Sequence, residues 1–215
     1  MAGNPARRLA LLDAAIDVLA REGARGLTFR AVDARAGVPA GTASNYFSSR
    51  DDLLTQAGSR IHVRMTPPPE RIEAAMRPEP DRALVAELMK WLVRRMTEER
   101  TDYLAMLELR LEATRRPALR AELSRAVREE LDRNTRFHLD AGLPGDAGTV
   151  LTLYLAMTGL LLEHLTLPGV LPPAELDRTV DALVDRIVPE AHTGRDQDRG
   201  RGRGRDRDRD QDRGR

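Results

Sequence analysis

Apolar residues along this chain return at steps of three and four, and Gly or Pro closes most of these runs. That rhythm is helical, because an α-helix brings positions three and four apart onto one face. Alternating β-branched runs, the mark of a half-buried strand, are almost absent. The sequence therefore predicts an all-α fold. Leu9, Leu12, Ile16 and Leu19 form the apolar stripe of a first helix, closed by Gly23 and Gly26. Thr28 is placed to cap a second helix, Phe29 to Ala36, with Val32 and Ala36 facing inward. Gly37 stands where a left-handed turn residue is wanted. A short third helix is expected from Pro39 and Ala40 to Phe47. Ser48 or Ser49 caps a fourth, with Asp51 and Asp52 in its first turn, where they suit the helix dipole.

The Pro-rich stretches Thr66–Glu70 and Arg77–Pro80 are breakers, and a domain boundary is expected between them. Long helical patterns follow over 81–99, 102–114, 117–141, 146–167 and 173–188. The expected organisation is a helical N-terminal domain over 1–66, a larger helical domain over 67–192, and a tail over 193–215. That tail is an Arg/Asp/Gly low-complexity segment, expected to be disordered because it has almost nothing apolar to bury. Its nine arginines could touch nucleic acid nonspecifically, but six interleaved Asp weaken that field and favour a solvated extension.

The net charge of +1 hides an asymmetry: residues 1–50 carry seven Arg against four acidic residues. A basic end points to a polyanionic partner. Two short helices joined by a Gly turn and backed by a longer helix make a helix-turn-helix. Residues entering a major groove must be small or polar, and Gly41, Thr42, Ala43, Ser44 and Asn45 fit. The adjacent Tyr46 and Phe47 divide the labour. Phe47 packs on the preceding helices, and the Tyr46 hydroxyl reaches a phosphate unless it is a plain surface tyrosine. Arg7 and Arg8 either reach DNA ahead of the first helix or are ordinary surface charge.

The stretch "LTFRAVDARAGVPAGTASNYFSSRDDLL", Leu27 to Leu54, resembles the DNA-binding region of TetR-family transcriptional regulators. The shared elements are Leu-Thr, the Arg two residues later, Ala-Gly-Val, Gly-Thr, the aromatic-Phe pair, and a basic residue before an acidic-Leu-Leu helix. The resemblance implies that Thr28 and Tyr46 touch phosphate and that Arg30 approaches the backbone or a base. It places Pro39, Ala40, Thr42, Ser44 and Asn45 at the DNA surface and gives Arg50 a phosphate from the start of the fourth helix. Three positions depart from the pattern. Asp33 stands where a small Ala is usual and Ala43 replaces a larger aliphatic residue, so looser local packing is expected. Ser44 replaces a frequent Tyr, which implies an uncommon operator.

A small reading domain needs two-fold pairing to double its contacts and fix half-site spacing. The stretch Gly148–Leu165 is apolar nearly all round, and Leu176, Val180, Leu183, Val184 and Ile187 form a stripe on the last helix. Both are expected at a homodimer interface, through Leu151, Tyr154, Leu155, Leu162 and that stripe, or else packed within one protomer. The resemblance implies that the remaining helices enclose a small-molecule effector. Its lining would come from Trp91, Met96, Tyr103, Met106, Leu107, Tyr154 and Met157, with Arg110 and His138 as polar anchors; Met89, Leu92 and Phe137 are further candidates. Glu108, Glu163 and His164 also interrupt apolar patterns; the last two either fix a ligand or serve at the helix end.

Other classes fit less well. No Gly-rich phosphate loop, Gly-x-Ser-x-Gly or His-Glu-x-x-His occurs, and the four His show no metal-ligand spacing, so neither enzyme, cofactor nor metal is expected. Cysteine is absent, which suits a cytoplasmic protein. No signal peptide is expected, and the longest apolar run is short for a membrane span. The expectation is a ligand-responsive DNA-binding regulator, a repressor acting on a palindromic double-stranded operator. The alternative is a helical adaptor that has lost specific DNA binding.

Overall fold

The computed structural model describes residues 4–190, so the expected tail lies outside the described residues. Among the described residues nine α-helices run in order: α1 Pro5–Gly26, α2 Phe29–Ala36, α3 Arg50–Met65, α4 Pro69–Ala75, α5 Arg82–Glu98, α6 Arg100–Ala113, α7 Pro117–Asp140, α8 Ala147–Thr166 and α9 Leu176–Ile187. There is no strand among the described residues. The caps follow sequence chemistry. Asn4, Thr28, Ser49, Asp81 and Asp146 each accept a backbone N–H at the start of their helix. Gly37 ends α2 at φ 65°, in the left-handed region that favours glycine. The Pro-rich segment expected to be a plain break holds the short helix α4, whose first residue is a proline.

Two apolar cores divide the molecule. The first gathers Leu11, Ile16, Leu19, Leu27, Val32, Phe47, Leu53 and Ile61 from α1–α3, and reaches Ala105 and Leu109 of α6. The second gathers Val85, Val93, Met96, Tyr103, Leu153, Met157, Leu160, Val180 and Val184 from α5, α6, α8 and α9. Helix α6 therefore serves both, as a shared wall. At Gly23 the backbone leaves helical geometry (φ 70°), and the following amide of Ala24 donates to Glu108 Oε2 of α6 at 3.1 Å. Glu108 thus ties α6 to the end of α1, a structural use that its place in an apolar pattern did not reveal.

The apolar stripe of α9 follows the second of its two readings, packing within one protomer. Leu176, Val180 and Val184 are buried inside one protomer, and Leu183 and Ile187 pack partly buried against the same core. The reason is that α9 lies along α5 and α8, which consume its apolar face. On α8 the outcome is different: Leu151, Leu155 and Leu162 are exposed, at 44%, 61% and 41%. Helix α8 is long and apolar enough to cross a membrane, yet its other face, with Leu153, Met157 and Leu160, is packed in the second core.

Candidate nucleic-acid interface and effector domain

The recognition segment is tighter than the predicted third helix. Residues after Pro39 form a turn, then a single 3-10 turn over Ala43–Asn45. Backbone bonds run three residues apart, from Thr42 to Pro39, Asn45 to Thr42 and Tyr46 to Ala43. The cause is local competition for backbone groups. The Thr42 and Ser44 hydroxyls donate to the Pro39 and Gly41 carbonyls, at 2.6 and 2.8 Å, which an α-helix would use otherwise. Gly41 sits at φ 87°, a conformation that a side chain would strain.

Asp33 holds this turn in place. Its carboxylate accepts from Gly41 N at 2.8 Å and Ala43 N at 2.7 Å, and the residue is 2% exposed. Ala43 is fully buried. The looser packing expected from these two departures is thus not found, because the small Ala43 lets the turn approach α2 and the acid receives its two amides. Asp33 is the residue sequence reasoning missed. The available signal was an acid on the inward face of α2, eight residues before a glycine.

Around this anchor, Thr28, Arg30, Pro39, Ala40, Ser44 and Asn45 are exposed, while Thr42 and Tyr46 are half-buried. Thr28 also accepts from Ala31 N, at 3.1 Å. Phe47 is 2% exposed, with the Arg8 guanidinium 5.3 Å from its ring centre. Arg50 departs from its expected role. Its Nε donates to the Leu27 carbonyl at 3.0 Å, Nη2 to the Ala24 carbonyl, and Nη1 lies 3.5 Å from Glu112 Oε1. A guanidinium so occupied holds the end of α1 against α3 and α6 instead of facing a phosphate. Glu112 also receives Arg116 Nε at 2.6 Å, and this hydrogen bond is the main force holding its carboxyl below the usual range.

In the larger domain the expected effector residues separate. Met96, Tyr103 and Met157 are core residues. His138 is buried, and its Nε2 donates to the Pro144 carbonyl at 3.0 Å, closing the loop between α7 and α8; it is a loop brace, not a free anchor. Arg110 of α6 and Tyr154 of α8 do meet, with Nη2 donating to Oη at 2.9 Å. Burial pushes the nearby Tyr103 phenol up, and Arg110 opposes that. Met106 and Leu107 are half-buried on the same helix as Arg110. Two clefts open elsewhere, beside α5. The larger, about 780 Å³, runs past Trp91, Lys90 and Asp181; the smaller, about 550 Å³, passes Thr97, His164 and Leu176. Of the expected ligand residues Trp91 borders the larger cleft, and His164, read as either a ligand anchor or a helix-end residue, borders the smaller.

Residues 11–57 match the bacterial regulatory proteins of the tetR family, and residues 80–190 match the tetracyclin repressor-like C-terminal domain. This chain belongs to the TetR family. A relative from Paenarthrobacter nicotinovorans, the HTH-type nicotine-responsive transcriptional repressor HdnoR, is 25% identical over 84% of this chain and 95% of its own length. A TetR-family structure from Streptomyces coelicolor superposes with TM-score 0.65 and 29% identity, covering 86% of this chain and 99% of the other. The multidrug binding protein EbrR, solved with ethidium, gives TM-score 0.65 and 28% identity, over 86% and 99%. As a TetR-family member the chain is a DNA-binding transcriptional regulator of all-α architecture, with the helix-turn-helix in its N-terminal part.

Proposed function

We propose that this regulator is a cytoplasmic homodimeric repressor, without enzymatic activity, that leaves a palindromic operator when a small molecule enters its larger domain. The observation that carries the operator reading is the pinned turn: Asp33 fixes a short polar segment whose outer residues have no packing task. Ser44 and Asn45 read base edges, while Thr28, Arg30, Tyr46 and the backbone near Pro39, Ala40 and Thr42 meet the phosphates. The division falls near residue 66, with α3 joining the reading part to the sensing part. Pairing uses the exposed leucines of α8. The face formed by Leu151, Leu155 and Leu162 is apolar and lacks a cover in the protomer, and burying it is favourable.

The effector region is placed between α6 and α8, where Arg110 and Tyr154 offer hydrogen bonds beside Tyr103, Met106, Leu107 and Met157. The cleft at Trp91 is the second candidate place for the effector. An aromatic effector is favoured by analogy with the relatives named above, one nicotine-responsive and one solved with ethidium. Such a molecule acts by binding the two conformations of the dimer unequally. Selection of bound duplexes from a random pool, at stated salt, tests the operator reading. Enrichment of an inverted repeat supports it. Failure to prefer any duplex over bulk competitor leaves the adaptor reading in its place.

A further inference from the structure

Where α3 ends, three arginines and three carboxylates from four helices meet. Asp13 of α1 accepts from Arg60 Nε and Nη2, at 2.9 and 3.1 Å, and from Arg64 Nη1 at 3.1 Å. Arg64 turns its Nε the other way, to Asp102 Oδ2 in the first turn of α6, at 2.9 Å. Arg95 of α5, itself buried, donates to the Arg64 carbonyl at 3.1 Å and to Glu99 Oε1 at 3.2 Å. One guanidinium therefore bridges α1 to α6, and its own backbone is held by α5.

The two acids it bridges are unequal. Burial would raise the Asp13 carboxyl, but Arg60 and Arg64 outweigh that and hold it below the usual range. Asp102 is 3% exposed, and its Oδ1 is buried with no hydrogen-bond partner, as is Glu99 Oε2. A charged carboxylate with a bare buried oxygen is costly. Burial pushes the Asp102 carboxyl above the usual range; Glu99 and Asp13 push it further, and Arg64 opposes. Arg60 of α3 also faces it, and Arg95 stands behind Glu99. Helix α7 packs on α6 but gives Asp102 no hydrogen bond or ion pair among the described residues.

We propose that the Asp13–Arg64–Asp102 bridge is a proton-released latch between the DNA-reading helices and the sensing helices. With Asp102 ionised, Arg64 holds α1 and α3 against α6. A proton taken up from solvent by the Asp102 carboxylate removes the charge that holds the Arg64 Nε–H. Arg64 then turns wholly to Asp13, and α6 loses its tie to the end of α3, while Glu108 and Glu112 still hold it to α1 and to the start of α3. Two readers held less firmly in their spacing bind an inverted repeat more weakly. The inference rests on the operator reading above for its DNA readout only.

The test uses the full chain as wild type, Asp102→Asn and Arg64→Gln, on the selected duplex, from neutral to mildly acidic pH, with helix content followed by circular dichroism. Wild-type affinity is expected to fall by about tenfold, a typical coupling between sites, while helix content holds. Both variants are expected to bind about tenfold more weakly at neutral pH and to lose that pH dependence. Trp91 gives a readout without DNA, because Arg95 lies 5.9 Å from its ring centre. Its emission is expected to shift with pH in wild type and not in the variants. Titration of any of the four His would survive Asp102→Asn. An unchanged profile in that variant, or a flat Trp91 titration in wild type, overturns the latch. If Asp102→Asn does not fold, Arg64→Gln decides on the same criteria. If no duplex is enriched, the operator reading falls and the Trp91 titration alone decides.

Discussion

Asp33 Oδ1 accepts the Ala43 amide at 2.7 Å, and both residues are sealed from solvent. This bond sets the recognition turn against α2, and loss of the carboxylate leaves two N–H groups, those of Gly41 and Ala43, without an acceptor. Asp33→Ala is expected to destabilise the protein by about 3 kcal/mol, the range for hydrogen bonds to a buried charged group. Urea unfolding followed by circular dichroism measures it. Operator binding should fall further than stability alone explains, because the turn is also the reading surface.

The outer residues of the turn should separate by role. Tyr46→Phe is expected to weaken binding to cognate and scrambled duplexes alike, as loss of a phosphate contact does. Asn45→Ala and Ser44→Ala should change sequence preference instead, by about 1–3 kcal/mol at one base pair. Equal losses on both duplexes for the Asn45 and Ser44 variants would remove their assignment. Ser44→Ala also deletes the bond to the Gly41 carbonyl, so its stability is to be measured beside its binding.

Arg50 makes the opposite prediction. A phosphate ligand contributes to the slope of log affinity against log salt, by about one unit per contact. Arg50 is occupied by Leu27, Ala24 and Glu112, so Arg50→Gln should leave that slope unchanged and lower the unfolding midpoint. A slope reduced by about one unit would return Arg50 to the DNA surface.

The pH dependence of stability has a definite sign at Asp13. Its folded carboxyl lies below its unfolded value, held there by Arg60 and Arg64 against burial. The stability it contributes is present above the unfolded value and is lost as pH falls through the folded one. Asp13→Asn should therefore cost stability at neutral pH, and the difference from wild type should vanish in acid. Unfolding midpoints across the acid range decide it; a constant difference would contradict the pairing.

Pairing through α8 predicts a separation between two leucine-rich helices. Leu155→Arg, on the exposed face, should give a monomer with its helices intact, read by sedimentation. Val184→Ala, in the protomer core, should cost about 1–3 kcal/mol of stability and leave the association state alone.

Helix positions were legible because caps and breakers are chemical statements: Thr28, Gly37, Ser49 and Asp146 do locally what their types predict. The stripe of α9 was equally legible as apolar, but an apolar stripe does not say what covers it. Only the placement of α5 and α8 showed Val180 and Val184 to be internal. Arg50 and Asp33 illustrate the same limit for charge. Each has its partners far along the chain or across a turn, from Ala24 and Leu27 for the first to Gly41 and Ala43 for the second. A charged residue in a motif announces that it will be neutralised, and three-dimensional neighbours choose whether protein or nucleic acid does so. The α4 helix was hidden because three consecutive prolines read as a stop, whereas proline in a first helical turn is a start.

The bare leucine face of α8 has a consequence for how such a protein works in a cell. If that face is hidden only when two chains meet, the form able to grip both half-sites grows with the square of chain abundance while most chains are single. Gene control would then respond steeply to how many copies are made, and dilution as the cell grows would loosen it without any added molecule.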